Sequence, residues 1–390
     1  MSKLNLLMLN YEFPPIGGGA GNAHLCLLRQ YADNSDLRID VLTSAPEPGF
    51  FTENFSKNIT IYKVGLHKKN LHFWRKTEVI EWLLKARPCY RKLLRENNYD
   101  LAHAFFGFPT GWFCYRSRDK LPYIISLRGS DVPGYNIRLG LDYKLMTGLF
   151  RRIWSCAAAV VANSEGLRRL ALEFMPSLDI GVIPNGIDTE KYYPSQKQEP
   201  AKPIKALTVC RLISRKRIDL LIEAVGQARE LGLDVRLNIT GEGNLMEVLK
   251  KLANGLKATD RVTFMGRVPA EQMPDVYRDN DIFVMSSAHE GMSNAMLEAM
   301  ASGLPIITTR CEGVEELVAD NGVVVEQAQP EEIARAIKKL ADNPQTLRQM
   351  SLASRERAAL YSWPSVAARY IRCYQQVLQS RQDGLRQCKK

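Results

Sequence analysis

Short runs of Val, Ile and Leu alternate with longer amphipathic stretches along nearly the whole chain. In the first half the runs are "LNLLMLNY" (4–11), "RIDVLTS" (38–44), "ITIYKVG" (59–65), "DLAHAFF" (100–106), "YIISLRG" (123–129) and "AAVVANS" (158–164). In the second they are "KALTVCRL" (205–212), "VRLNITGEG" (235–243), "RVTFMGRV" (261–268), "DIFVMSS" (281–287), "PIITTR" (305–310) and "NGVVVE" (321–326). Near-continuous apolar runs of this length predict strands buried on both faces, hence parallel sheets. Between them the apolar spacing turns helical. After the first strand, Leu25, Leu28 and Ala32 fall on one predicted helix face, and the last strong helix begins at Trp363. Strands alternating with helices define an α/β chain with doubly wound sheets.

The alternation breaks once. Pro184, Asn185-Gly186, Pro194, Pro200 and Pro203 punctuate a polar stretch. The expected organisation is a Rossmann-like domain over 1–188, a second over 189–362, a helix over 363–380 returning to the first domain, and a frayed tail over 381–390. No period of 20 to 50 residues repeats, which excludes a solenoid. A length of 390 residues suits two domains better than one core.

Composition narrows the class. Hydrophobic residues make up 45% and charged residues 24%, a globular balance and not a disordered one. No run approaches the roughly 20 apolar residues that span a bilayer. The N-terminal run leads into glycines and reads as a first strand, not a signal peptide. Eight cysteines are scattered without a CxxC pair, which predicts reduced thiols and a cytoplasmic protein. The five histidines show no metal-ligand spacing, so no metal site is expected.

A net charge of +11 points to an anionic partner. Residues 66–95 concentrate it, with nine Lys/Arg against two Glu and with Phe73, Trp74, Val79, Ile80, Trp82, Leu83 and Leu84 interleaved. That composition fits an interfacial helix on the anionic inner face of a membrane. It fits equally a surface helix with a solvated basic face. Nucleic acid is not expected, because no binding motif accompanies the charge.

In doubly wound sheets, ligands bind beyond the carboxyl ends of the strands, so the strand-to-helix loops carry the candidate chemistry. "FPPIGGGAG" supplies glycines that let backbone approach a ligand, just before a helix N-terminus. "VCRLISRKRID" places Arg211, Arg215, Lys216 and Arg217 in one loop, a mutually repelling set that a bound di-anion would stabilise. "TGEG" brackets a tight turn with Gly241 and Gly243, and Gly313 opens a helix in "EGVEELV". "HEGMSNAMLEAMASG" opens with Glu290-Gly291, offers Ser293 and Asn294 as N-caps, and carries Glu298 one turn into a short helix. A carboxylate there can accept both hydrogen bonds of a vicinal diol. Acids near a helix start also offset its dipole. That accounts less well for an acid inside an element flanked by two buried strands. Cations for phosphates and acids for hydroxyls together match a nucleotide sugar.

These residues resemble the retaining glycosyltransferases of family 4, over about residues 4–378. The resemblance rests on an E-x7-E pattern met by Glu290 and Glu298, joined in order by "FPPIGGGAG", "VIPNGID", "CRLISRKRIDLLIEA", "TGEG", "FMGRV" and "EGVEELV". It implies a GT-B fold, two Rossmann-like doubly wound domains facing a deep cleft. Arg211 and Lys216 would bind the donor phosphates, Glu298 the ribose hydroxyls and Glu290 the transferred sugar. Backbone of Gly291, Met292, Ser293 and Asn294 would reach the sugar and phosphate. Gly18 and Gly19 would approach the diphosphate, and Arg267 and Val268 would face the base. Gly241 and Gly313 fall among the donor-binding positions. The family keeps the anomeric configuration by same-face attack assisted by the donor phosphate, with neither metal nor cofactor. The implied reaction moves a sugar from a UDP- or GDP-sugar to a hydroxyl of a glycan or lipid-linked acceptor, in cell-surface polysaccharide or glycolipid biosynthesis.

This chain departs from the pattern in places. Arg128 stands where many members carry His, and an arginine cannot serve as a neutral base. Paired with Asp131, it is expected to bind an anionic acceptor or orient a hydroxyl. His103 is a further acceptor candidate. Arg217 stands where Gly is frequent, and Gly21 replaces a common acid. The Arg128 departure keeps open a catalytically weak protein that only binds a sugar nucleotide or a membrane, and the paired domains keep open a sugar-nucleotide epimerase.

Overall fold

The computed structural model describes residues 3–68, 70–71, 73–136, 139–195, 202–228, 230–290, 292–311 and 313–387. The chain divides into two compact units, Met1–Gly186 with Trp363–Lys390, and Ile187–Ser362.

The first unit runs β1 (Leu4–Leu9), α1 (Gly19–Tyr31), β2 (Leu37–Ala45), β3 (Phe50–Ser56), β4 (Ile59–Gly65), α2 (Lys76–Glu96), β5 (Leu101–Phe105), α3 (Thr110–Arg116), β6 (Tyr123–Leu127), α4 (Gly140–Ser155), β7 (Ala159–Ala162), α5 (Glu165–Phe174) and β8 (Ile180–Val182). Its strands lie in the order β3-β4-β2-β1-β5-β6-β7-β8. Every pairing is parallel except β3 with β4. β5 and β6 are buried at every position, as strands covered by helices on both faces must be. β3 and β8 escape the sequence reading. β3 is an exposed edge strand whose Phe50 and Phe51 face solvent, so it lacks an apolar run. β8 has only three residues.

The second unit runs β9 (Ile204–Val209), α6 (Ile218–Ala228), β10 (Val235–Thr240), α7 (Met246–Gly255), β11 (Val262–Gly266), α8 (Met273–Arg278), β12 (Ile282–Met285), α9 (Asn294–Ala301), β13 (Ile306–Thr309), α10 (Val314–Leu317), β14 (Gly322–Val325), α11 (Pro330–Ala341) and α12 (Pro344–Ala359). The parallel order β11-β10-β9-β12-β13-β14 is two wound halves that reverse between β9 and β12. A crevice for ligand forms at such a switch point. The apolar runs of the sequence reading all fall on these strands.

The final helix, α13 (Trp363–Gln387), joins the first unit's core through Trp363, Val366, Ala367, Tyr370, Tyr374 and Val377. It continues past residue 380, where a frayed tail was expected. Two other expectations shift. The core face of α1 is His24, Leu27, Leu28 and Tyr31; of the three expected residues Leu28 is fully buried, and Leu25 and Ala32 are only half-buried. Helix α2 starts only at Lys76, and its Trp82 is fully buried, so residues 66–95 are not one helix. Among the described residues, no helix is long and apolar enough to cross a membrane.

Candidate functional site

At the β9/β12 switch point the two loops are tied together. After β9 the chain makes a 3-10 turn, Ser214–Lys216, and leaves it through Arg217 in the left-handed conformation, φ 47° and ψ 43°. That region costs a residue with a Cβ about 1–2 kcal/mol, which is the physical reason glycine suits this position. After β12, Ser286 Oγ donates to the carbonyls of Lys216 and Arg217, at 2.9 and 2.7 Å. The Ala288 amide donates to the Arg215 carbonyl at 2.8 Å. These bonds bring Lys216 to Glu290, the first of the two acids. The Lys216 ammonium donates to the Glu290 carboxylate, and Ser287 Oγ donates to the same oxygen at 2.9 Å. Glu290 is buried, so this ion pair is well shielded from solvent. The Cys210 thiol, at the end of β9, has its pKa raised to about 11, first by burial and also by the charge of Glu290, with Lys216 and Arg211 opposing. Arg211, Lys216 and Glu290 therefore all lie around one point.

The expected four-cation cluster is corrected by this geometry. Lys216 is paired with Glu290, and Arg217 with Asp219 at 3.3 Å. Two of the four cations are thus held by acids of the site itself, and Arg211 and Arg215 are not part of these two pairs.

Glu298, the second acid, sits on α9 in a different setting. Ser293 caps the helix, its Oγ accepting from the Met296 amide at 3.3 Å. One turn later, Tyr277 OH on α8 donates to Glu298 Oε2 at 2.8 Å. Burial raises the Glu298 pKa to about 7, against the opposing Tyr277 hydrogen bond, the Lys191 charge and a Tyr192 hydrogen bond. The acid is thus poised to change charge near neutral pH.

The glycines of "TGEG" act on the loop rather than on open space. A Cβ on Gly241 would lie 1.9 Å from the Cys210 carbonyl oxygen, and one on Gly243 2.2 Å from that of Leu212. Amides of Cys210 and Leu212 donate to the carbonyls of Thr240 and Glu242, and Gly241 donates to Gly266. The turns after β9, β10 and β11 are stitched into one ledge. Arg267 is exposed at its end, and Val268 packs into the core beneath. Gly313 turns the chain into α10 with φ 78°, a conformation that favours glycine. Met292 is buried and Asn294 begins α9. Gly291 lies outside the described residues.

In the first unit, Gly18 and Gly19 are exposed at the start of α1, and a Cβ on Gly18 would meet nothing within 4 Å. The loops after β5 and β6 are joined by Asp131, whose buried carboxylate accepts from the amides of Gly107, Arg128 and Gly129 at 2.7, 2.9 and 3.0 Å. Its pKa is raised, chiefly by burial. Arg128 and Asp131 are joined through the Arg128 backbone amide, which donates to Asp131. The Arg128 guanidinium stacks on Phe105 at 4.7 Å and donates to Asn185 Oδ1 at 2.7 Å. His103 is also corrected. It is fully buried, with Nδ1 2.9 Å from Tyr374 OH and Nε2 2.8 Å from Ser126 Oγ, so it holds α13 to the sheet and cannot face an acceptor. Burial first, then the nearby His24 and Arg128, hold its pKa well below the usual histidine range.

Sequence reasoning missed Ser286, Ser287, Tyr277, Tyr192 and Lys191. The serines had a signal, because they follow the buried strand at the switch point. The tyrosines and Lys191 had none, because helix packing alone brings them to Glu298.

Two Rossmann-like units, each a doubly wound parallel sheet, define the GT-B fold. The chain matches the family models "Glycosyltransferase Family 4" over residues 17–191 and "Glycosyl transferases group 1" over residues 190–357. It is 32% identical over 388 residues to a phosphatidylinositol N-acetylglucosaminyltransferase subunit from Arabidopsis thaliana, covering 96% of this chain and 83% of that one. The GDP-mannose-dependent alpha-(1-6)-phosphatidylinositol monomannoside mannosyltransferase of Mycolicibacterium smegmatis is 31% identical over 231 residues, 55% of this chain and 60% of that one. The chain belongs to glycosyltransferase family 4. Among solved structures, sucrose-phosphate synthase of Thermosynechococcus elongatus superposes with a TM-score of 0.80 at 20% identity, over 97% of this chain and 100% of that one. Anabaena HepE, in complex with UDP and glucose, gives 0.72 at 18% identity, over 96% of this chain and 100% of that one.

Proposed function

We propose that this glycosyltransferase moves a hexosyl group, with retention, from a UDP- or GDP-sugar to a hydroxyl of a glycan or lipid-linked acceptor, without a metal ion. The carrying observation is the Lys216–Glu290 pair at the β9/β12 switch point, with Glu298 on the helix that follows. An arriving diphosphate competes for the Lys216 ammonium and gains Arg211. Glu290 is then free to accept from sugar hydroxyls, and Glu298 to accept from the ribose diol. As the bond from the anomeric carbon to the phosphate oxygen breaks, the acceptor oxygen bonds that carbon from the same face. The acceptor proton passes to the leaving phosphate oxygen, whose charge Lys216 and Arg211 stabilise. Charge neutralisation by two side chains is why the reading assigns no metal.

Two relatives support the choice of substrates. The Mycolicibacterium enzyme is by name GDP-mannose-dependent and acts on a phosphatidylinositol mannoside, and the Arabidopsis protein is by name part of a phosphatidylinositol N-acetylglucosaminyltransferase. A lipid-linked acceptor requires approach to a membrane surface. Exposed Phe73, Ile80 and Leu84 lie along the start of α2, and the Lys76–Asp142 bridge at 2.8 Å places the exposed Leu141 and Leu145 of α4 beside them.

The test begins with thermal shifts in UDP, GDP and ADP, followed by transfer assays with sugars of the stabilising nucleotide. Transfer with an α-configured product, undiminished by a chelator, is expected. Lys216→Ala should lower turnover by about 100-fold or more, as loss of one transition-state charge contact does. A turnover number unchanged in that variant would overturn the assignment, and a free epimerised sugar nucleotide as product would replace it with an epimerase. For the membrane, flotation with anionic vesicles at low salt and its loss at high salt are expected. No flotation at low salt would remove that part.

A further inference from the structure

At the other end of α2, a cavity of about 300 Å³ opens between α2, α3 and the turn that follows α3. Arg87 and Arg91 line it from α2, and Arg116 and Lys120 from α3 and its turn, over a floor that includes Leu94 and Trp112. Arg87 and Arg91 are four residues apart on one helix face, a like-charge pair that destabilises an isolated helix. Among the described residues, none of the four cationic side chains has a hydrogen bond or an ion pair. Asp119 also lines the cavity, and its nearest cation is Arg118, at 3.8 Å.

The topology separates this cavity from the sugar-transfer loops. Helix α2 ends at Glu96, just before β5 begins at Leu101, and residues 116–120 lead into β6 at Tyr123. The cavity is therefore at the amino edge of the parallel sheet. The glycine-rich loop and Arg128 are at the carboxyl edge, a strand length of about 16 Å away. A ligand here takes no part in the transfer.

We infer that this cavity is a second binding site, for a phosphate ester, with its phosphoryl oxygens held by Arg87, Arg91, Arg116 and Lys120 and its organic part against Trp112 and Leu94. Guanidinium pairs match phosphate geometry with two parallel hydrogen bonds each. A phosphoryl group would turn the repulsion among four cations into attraction. The aromatic and aliphatic floor selects an esterified phosphate over a bare ion. Such a ligand is either a soluble phosphate compound or the headgroup of a phospholipid, and the chemistry of recognition is the same for both.

The test uses the full chain. Pyrophosphate is titrated by calorimetry into the wild type, Arg91→Glu/Arg116→Glu, the control Lys92→Glu/Arg95→Glu outside the cavity, and Lys216→Met at the switch point. Flotation is measured with phosphatidylcholine vesicles containing either phosphatidate or the same charge as oleate. If the source is soluble, the wild type shows two pyrophosphate sites. The Arg91/Arg116 variant loses one of them, Lys216→Met loses the other, and the control keeps both. A wild type whose pyrophosphate binding depends on Arg91 and Arg116 but not on Lys216 would support the cavity and count against the donor reading. If the source is a lipid, phosphatidate vesicles bind more tightly than oleate vesicles, and the Arg91/Arg116 variant weakens only the phosphatidate binding, by at least about tenfold. Equal behaviour of the cavity and control variants in both assays would overturn the site. Arg91→Gln/Arg116→Gln repeats the measurement if charge reversal impairs folding, and Arg91→Lys/Arg116→Lys should retain part of the binding.

Discussion

Glu298 is a carboxyl group whose ionisation near neutrality is set by burial, with Tyr277, Tyr192 and Lys191 restraining the shift. Its pKa of about 7 lies above the ordinary value, so in the free protein its contribution to stability is complete below about pH 4.5 and is lost as pH rises through 7. A ligand that donates two diol hydrogen bonds prefers the ionised form, which gives binding the opposite slope. Donor-sugar affinity should therefore rise about tenfold from pH 6 to the plateau above pH 7, with proton uptake by buffer on binding at pH 6. A nucleotide sugar is the right probe, because its diphosphate does not titrate in this range. Glu298→Gln should flatten the profile and raise the melting temperature at pH 8 relative to wild type. Calorimetry in two buffers of different ionisation enthalpy measures the proton count, and an unaltered pH profile in the variant would remove Glu298 from the diol. Glu290, eight residues earlier, has other partners, the Lys216 ammonium and the Ser287 hydroxyl. The two acids thus differ in their surroundings.

At the scale of elements, the ledge of loops after β9, β10 and β11 depends on backbone meeting backbone. Gly243 has the Leu212 carbonyl where its Cβ would be, whereas Gly266 has φ +67° but nothing within 4 Å. The two glycines are required for different reasons, one for space and one for conformation. Gly243→Ala should destabilise the second unit by about 2–3 kcal/mol, since main chain must move. Gly266→Ala should cost only about 1 kcal/mol, the left-handed penalty. Urea unfolding of both variants checks the order, and the reverse order would show that the ledge tolerates a shift. Because the Arg211–Lys216 loop rests on this ledge, Gly243→Ala should also weaken nucleotide binding.

At the scale of the whole molecule, each unit has its own core but only one is a continuous segment. The segment 187–362 closes on itself. Arg355 donates to the carbonyls of Tyr192 and Ala301 at 2.7 Å and of Thr189 at 2.8 Å, holding the start of the unit to its last helix. The first unit draws six core residues from α13, and Tyr31 OH donates to the Ala367 carbonyl at 3.1 Å. A fragment of residues 187–362 should therefore unfold cooperatively by itself. A fragment of residues 1–186 should not, until residues 363–390 are joined to it through a short linker. Circular dichroism across a urea gradient distinguishes the two, and cooperative unfolding of 1–186 alone would show that α13 is dispensable to the core.

The sequence by itself determined the alternation of buried strands with helices, and so the two doubly wound sheets. Burial on both faces writes itself as unbroken Val, Ile and Leu. It also determined the loops that carry Arg211, Lys216, Glu290 and Glu298, because ligand loops of such sheets follow strand ends. Tertiary structure alone decided what those residues touch. The pairing of Lys216 with Glu290 arises where β9 and β12 become neighbours, 74 residues apart along the chain. The Tyr277 hydrogen bond to Glu298 spans 21 residues, and the contact that takes His103 out of reach spans 271. The edge strand β3 left no trace in the pattern, since a strand open to solvent needs no apolar run. Periodicity records whether a residue is buried. It does not record which partner burial brings, Lys216 and Ser287 to Glu290 and Tyr277 to Glu298.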